Sequence, residues 1–427
     1  MGNQGSINSR RMIVCVLTAL SMAACNVQIA AQQPAYTWEQ IQNLFLKSNP
    51  TLRAQEQAVV SSRASEITAG LRPNPTLQND TTSSTAGIYQ EFELGGKRNA
   101  RLKSAQLATQ ISQTDAEDTR RTLTLNLRQA FVAALQAKSD LQFARDNLAN
   151  YQKIVDINTE MLSQGAISRA NFLKIRLETL QFQTDVDDAT LELKNARAAL
   201  RGLLGAANLP QDFDVEGELT AVPFDKSLAE LDQLALQNRP DLKSAETTKL
   251  KANADFKVAQ AYRWPDPTIG ISYLHAGNEI GGPDWFQPFY PKGSYSNAMG
   301  IGVASIPLPI FNCNQGEVSR TRSEQLRAEF LADAARNQVL QDVESAYASF
   351  VSSRERVRLY EQTYLSDAKE SLDIEDFSFH KGGASILEFL DAERTYRATQ
   401  LAYRQQLAAY LNSLAQLLSA AGLGVTP

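Results

Sequence analysis

The residues able to do chemistry are few and far apart. Two histidines, His275 and His380, and three cysteines, Cys15, Cys25 and Cys313, are all that 427 residues supply of soft metal ligands. A transition-metal centre needs three or four such groups converging, so no metal site is expected, and no constellation of nucleophile and base points to catalysis. The carboxylate pairs Asp187-Asp188 and Glu375-Asp376 lie in charged stretches and read as solvated helix surface. No cofactor is called for. The one covalent reaction the spacing suggests is at Cys25. Arg10 and Arg11 precede an apolar stretch, Met12 to Ala24, which is too short to cross a bilayer and right for an export signal. It ends in Met22-Ala23-Ala24-Cys25, small residues before a thiol as bacterial lipidation requires, while ordinary cleavage near Ala30 or Ala31 is the other reading. Either way Cys313 is left as the one thiol of the mature chain and no internal disulfide forms.

Composition closes off further classes. A net charge of −5, from 42 basic and 47 acidic residues, gives no basic footprint for nucleic acid. Charged residues at 21% and hydrophobic ones at 43% fit a folded chain. Proline is absent between Thr76 and Leu209 and between Ile310 and Thr426, and Gly165 is the only glycine from Lys97 to Arg201. Proline costs about 3 kcal/mol and glycine about 1 kcal/mol inside a helix. Runs this free of both predict long helical rods.

A tandem repeat organises these rods. Trp38, Ile41 and Leu44, followed by Asn49-Pro50-Thr51-Leu52, return as Leu228, Leu231 and Leu234, followed by Arg239-Pro240-Asp241-Leu242. Arg72-Pro73-Asn74-Pro75-Thr76 returns as Trp264-Pro265-Asp266-Pro267-Thr268, and Gly165 with Asn171-Phe172-Leu173 returns 217 positions later as Gly382 with Glu388-Phe389-Leu390. Each copy reads as a short helix capped by Thr37 or Ser227, a helix ending at Pro-x-Pro, an alternating stretch, and a long helical hairpin. The alternation sets Ile88, Gln90, Phe92 and Leu94 against Tyr89, Glu91 and Glu93, and Met299, Ile301 and Val303 against Gly300, Gly302 and Ala304. Such strands separate two different surroundings, and both a membrane strand and a half-buried soluble strand fit.

The hairpins carry coiled-coil seams. Leu127, Ala134, Leu141, Leu148, Val155 and Leu162 recur every seven residues, with Ala130, Ala137, Ala144 and Tyr151 between them. In the second copy the seam is Val343, Ala346, Phe350, Ser353, Val357, Tyr360 and Tyr364, then Phe389, Ala392, Tyr396, Tyr403, Tyr410 and Leu417. The resulting division is a signal over 1–24, a lipid-anchored extension over 25–36, a first repeat over 37–205, a linker over 206–226, a second repeat over 227–422, and a tail over 423–427. Within the first repeat the helices cover 38–72, the strand pair 76–94 and the hairpin 97–204; in the second they cover 228–264, 268–309 and 314–421.

This order resembles the TolC-like outer membrane factor family, the exit ducts of tripartite efflux and secretion systems, from about Tyr36 to Gly422. Glu93-Leu94-Gly95-Gly96-Lys97-Arg98 is similar to the signature of its CzcC-type branch, which works with heavy-metal cation pumps. The resemblance implies a mainly α fold with a membrane β-barrel portion. Three copies, each giving four strands, would complete a 12-stranded barrel held in outer membrane lipid, with the coiled-coil hairpins forming a periplasmic tunnel. It also implies a periplasmic adaptor and an inner-membrane RND pump as partners. Adaptor docking falls to the hairpin tips at Gly165, Ile167 and Ser168 and at Gly382, Gly383 and Ser385. Glu388 and Asp391 match the acidic pore constriction, or are ordinary surface carboxylates. His380 reads as a polar tip residue or a cation contact at the tunnel mouth. Trp285, Phe286, Phe289 and Tyr290 fit an interfacial girdle, an outer loop or a packed loop core. Ducts for organic compounds or type I protein secretion share this frame, and a non-channel periplasmic coiled-coil lipoprotein tether is the alternative of another class.

Overall fold

The computed structural model describes residues 34–80, 85–205, 208–274 and 298–425. Cys25, His275 and the aromatic group Trp285 to Tyr290 lie outside them. A two-residue strand, β1 (Ala35–Tyr36), leads into α1 (Trp38–Ser48), α2 (Pro50–Gly70), β2 (Thr76–Asp80), β3 (Thr85–Glu91), α3 (Lys97–Ser163) and α4 (Arg169–Leu204). The second copy follows β4 (Asp214–Val215) with α5 (Leu228–Asn238), α6 (Pro240–Ala261), β5 (Thr268–Leu274), β6 (Ala298–Ser305), α7 (Gln315–Leu359), α8 (Leu365–His380) and α9 (Ile386–Ala420). At 1.5 Å per residue α3 is about 100 Å long.

The duplication extends to individual hydrogen bonds. In the first copy Asn49 caps α2, its Oδ1 accepting from the N–H groups of Thr51 and Leu52, while its Nδ2 donates to the Leu203 carbonyl at 2.8 Å. In the second copy Arg239 takes that place, donating to Asp241, to Asp342 at 2.8 Å and to the Ala420 carbonyl at 3.5 Å. Ala420 stands 217 positions after Leu203, the same offset that relates the hairpin tips. Where the first copy has a neutral amide the second has a buried guanidinium, with two aspartates that balance its charge.

Each copy has its own core, and α3 belongs to both. Ile41, Phe45, Leu127, Phe131, Leu200 and Leu204 centre the first, and Leu231, Ala235, Val343, Phe350, Tyr410 and Leu417 the second. Val132 of α3 sits in the second core and Ala415 of α9 in the first, so the copies interlock. The heptad positions Leu127, Ala134, Leu141, Ala137, Ala144 and Tyr151 are buried, as are Val343, Ala346, Phe350, Ser353 and Val357.

One seam position departs from the expected phase. Tyr360–Tyr364 forms a π-turn between α7 and α8, with the Leu365 N–H reaching back to the Tyr360 carbonyl. The extra residue rotates the helix, so Tyr364 is exposed and Ala368 becomes the next buried position. The equivalent stretch of α3 runs straight through.

The strands form one antiparallel sheet in the order β2-β3-β5-β6. Its register lines up Leu77, Ile88, Ile271 and Ile301 in a single row across all four strands, and every one is half or more exposed. Ile269 and Val303 extend that face at one end and Tyr273 and Met299 at the other. The opposite face is small and polar, with Gln78, Gly87, Ser272 and Gly300 in one row and Thr76, Tyr89, Gly270 and Gly302 in the next. The Tyr89 ring lies over Gly270, where any side chain would collide with it. An apolar wall facing outward, backed by a polar one, is the arrangement of a sheet set between lipid and water. Among the described residues no helix is long and apolar enough to cross a membrane.

Candidate functional site

Three places along the rods carry the residues singled out by the sequence: the junction of sheet and helices, and the two hairpin tips.

At the junction, the Glu93 to Arg98 motif ties one repeat to the other. Gly95 and Gly96 turn the chain through φ of 68° and 75°, a region that favours glycine, and a Cβ at Gly95 would strike the Trp264 ring and the Ala261 carbonyl. The turn delivers Lys97 into a buried position. Its ammonium donates to the Trp264 carbonyl at 2.7 Å, pairs with Asp266 and lies 5.0 Å from the Tyr262 ring centre. The other oxygen of Asp266 accepts from the Leu94 N–H at 2.8 Å. Arg101 pairs with Glu93, which raises its already high pKa, and the Arg98 Nε donates to the Gly70 carbonyl at 2.5 Å. These partners of Lys97, Tyr262, Trp264 and Asp266, come from the stretch of the other copy where α6 ends and runs into its Pro-x-Pro. The motif therefore fixes where the strands of both repeats leave their helices.

Both tips are built the same way. Helix α3 ends with Gly165 at φ 73°, its N–H donating to Leu162, and the Ser168 hydroxyl caps α4 by accepting from the Asn171 N–H at 3.2 Å. Helix α8 ends with Gly382 at φ 79°, followed by Gly383, whose N–H donates to the Ser378 carbonyl at 2.8 Å. Ser385 caps α9 by accepting from the Glu388 N–H at 3.3 Å. Ile167 is half-buried, whereas Gly165, Ser168, Gly382, Gly383 and Ser385 are exposed. His380 is exposed, with Nδ1 2.8 Å from the Asp376 carbonyl oxygen.

Glu388 does more locally than its sequence suggested. Its carboxylate accepts from the Ser385 N–H at 2.6 Å, closing a capping box, and that bond holds its pKa below the usual carboxylate value. One face of the group is thus engaged, and the other is open to solvent, as is Asp391 one turn on. In the first tip Asn171 stands where Glu388 does in the second.

A core between the tips and the junction binds the two hairpins together. Tyr151 and Phe182 stack with ring centres 4.3 Å apart, Phe379 and Phe389 stack at 5.4 Å, and Ile175, Ile386 and Leu390 fill between them. Bordering this core is an ionic cluster that residue spacing did not reveal. Arg394 holds Glu178 through two bonds at 3.0 and 2.6 Å, and Arg397 lies 3.2 Å from Asp185 and 4.5 Å from the Phe182 ring centre. Its members are more than 200 residues apart, so only the fold brings them together.

The sequence profile of the family described as "Outer membrane efflux protein" matches residues 41–206 and 231–423, one match per repeat. The chain belongs to that family. This outer membrane efflux protein is 26% identical to the cobalt-zinc-cadmium resistance protein CzcC of Cupriavidus metallidurans, over 86% of this chain and 85% of the relative. It is also 26% identical to the pyoverdine export outer membrane protein OpmQ of Pseudomonas aeruginosa, over 89% of this chain and 78% of that one. Among solved structures it is similar to CusC, described as undergoing conformational changes with folding and transmembrane channel formation. There the TM-score is 0.74 at 21% identity, covering 90% of this chain and 92% of the other. Family membership places the protein in the outer membrane as an efflux duct, and the exposed apolar row of the sheet is the surface that meets the lipid. The expected fold, mainly α with a barrel portion, is the one observed.

Proposed function

We propose that three copies close into one duct that exports heavy-metal cations, working with a periplasmic adaptor and an inner-membrane RND pump. The observation that carries this reading is the open sheet. Its edges β2 and β6 belong to opposite repeats, and the helices beneath follow the same order, α2-α3-α6-α7. Exposed Val60 and Ile67 mark the free helix edge in the first repeat, and Leu326 and Phe330 mark it in the second. Every backbone group in a membrane must find a partner, and four strands cannot close on themselves. Edge-to-edge addition of copies satisfies both layers at once, and three copies give 12 strands. A lipid on Cys25 would add a second anchor.

In this reading the tips Gly165, Ile167, Ser168, Gly382, Gly383 and Ser385 meet the adaptor, and Glu388 and Asp391 form two rings of three carboxylates. Such rings enrich cations at a narrow pore through their field rather than by coordination. Similarity to CzcC and the Glu93 to Arg98 motif support metal cations as cargo. The equal identity to OpmQ supports an organic cargo as the second reading.

Growth separates the two. A strain lacking this chain is expected to become sensitive to at least one of zinc, cobalt, cadmium, nickel, copper and silver. Tolerance should return with the intact chain and only in part with Glu388→Gln combined with Asp391→Asn. Equal growth on all six metals would count against cation export and favour the organic cargo.

A further inference from the structure

The joint that Lys97 locks has a counterpart that a single copy leaves open. In the first repeat the connection from β3 to α3, residues 92–96, lies against the Pro-x-Pro stretch of the unit beside it in the sheet. The Phe92 N–H donates to the Pro267 carbonyl at 2.9 Å, the Leu94 N–H donates to Asp266 at 2.8 Å, and Gly95 faces the Trp264 ring. Gly96, with φ of 75°, then starts α3. The second repeat leaves its strands in the same manner. Asn314, with φ of 59°, starts α7, and Gln315 takes the place of Lys97. The connection from β6 to α7, residues 306–314, differs in its surroundings: β6 is the edge of the sheet, and among the described residues no further strand of the copy stands beside it.

This connection is nonetheless built rather than loose. The Cys313 thiol donates to the Pro309 carbonyl at 2.9 Å, the Gln315 amide to the Phe311 carbonyl at 3.2 Å, and the Asn314 amide to the Ala259 carbonyl of α6 at 2.8 Å. So held, it turns apolar side chains outward, with Leu308 72%, Ile310 71% and Phe311 92% exposed. The other edge of the same sheet is bare as well. There Leu71, Arg72, Asn74 and Pro75, the first Pro-x-Pro and the residue before it, are all exposed.

We infer that these two bare ends make one joint between copies, with residues 306–311 of each chain packed on residues 71–75 of the next. The joint presupposes the edge-to-edge closure proposed above and adds what holds it where sheet meets helices. The repeat names the occupant. Arg72-Pro73-Asn74-Pro75 matches Trp264-Pro265-Asp266-Pro267, so a closed ring brings the first stretch to β6 as the second is already brought to β3. A second copy, and not lipid, covers residues 306–311. The chemistry differs from that of the joint inside one copy. With Gln315 for Lys97 and Asn74 for Asp266 both ionic partners are neutral, and burial of Leu308, Ile310, Phe311 and Leu71 supplies the attraction. Pro307 and Pro309 suit such a place because neither has an N–H to leave unpaired. Ionic joints within copies would then alternate with apolar joints between them.

Since Gly95 faces Trp264, Cys313 should face Arg72 of the next copy. In full-length protein in outer membranes, Arg72→Cys treated with a flexible bismaleimide is expected to give covalently linked pairs and triples of chains. Adding Cys313→Ser should abolish them. Phe311→Asp should lower the temperature of oligomer dissociation by about 5 °C or more, and Leu71→Lys in the same chain should recover at least half of that loss across the joint. Three-chain particles in which Arg72→Cys gives no cross-link would overturn the joint while edge closure stands, and so would a loss that Leu71→Lys does not repair, the result expected if lipid covers Phe311. Single chains throughout would overturn the joint and the closure together.

Discussion

Replacing Lys97 by methionine is expected to destabilise the oligomer more than any single change to the seams. The methionine keeps the apolar stem but removes the ammonium, leaving the Trp264 carbonyl and the Asp266 carboxylate, only 14% exposed, without their donor. Breaking one side of a buried ion pair costs about 3 to 5 kcal/mol. The damage falls where strands of both repeats leave their helices, so it should appear as a lower temperature of oligomer dissociation and a lower denaturant midpoint. Adding Asp266→Leu should recover part of the loss, because the stranded charge goes with it; the two changes share one interaction and are not additive. If Lys97→Met lowered stability by less than about 1 kcal/mol, the level of an exposed pair, the motif would not be the lock described here.

A charge on the outer row of the sheet should block assembly in the membrane, and the same charge on the inner face should not. Ile301→Lys places an ammonium in the row formed with Leu77, Ile88 and Ile271, where the lipid lies. Lysine or arginine at the middle of a lipid-facing strand costs about 2 to 4 kcal/mol, and the oligomer repeats that cost in each copy. Ser272→Lys sits on the neighbouring strand facing the other way, beside Gly87 and Gly300. Outer-membrane fractionation should recover the Ser272 variant as oligomer and lose the Ile301 variant to aggregates or proteolysis. The reverse outcome would mean that the two faces have been assigned the wrong way round.

Much of this architecture is written in periodicity. The repeat, the hairpins and the capping serines are legible because each rests on residues close in sequence: a seven-residue spacing, a glycine in a proline-free run, a serine before a helix. The two-residue alternation around Ile88 and Ile301 is legible for the same reason, although alternation alone leaves open which solvent each face meets. What pattern could not show is anything that depends on a distant partner. Lys97 reads as part of a branch motif until Trp264 and Asp266 of the other copy come beside it. Glu178 and Asp185 show no partner in the sequence, because Arg394 and Arg397 stand on a different helix more than 200 residues away. The π-turn has no glycine or proline to mark it, so a strict heptad carried the seam on to Tyr364, which the structure places in solvent. Glu388 shows both sides of the matter: its type and spacing fit a pore ring, and they fit the capping box it forms with Ser385 equally well.

The central claim is that copies of this chain close edge to edge into a single conducting duct. Planar-bilayer recording on size-selected oligomer extracted from outer membranes tests it most directly. Uniform current steps from particles of three chains are expected, with cation preference reduced by Glu388→Gln together with Asp391→Asn. Protein recovered as single chains that carry no current would contradict the account and leave a coiled-coil tether in its place.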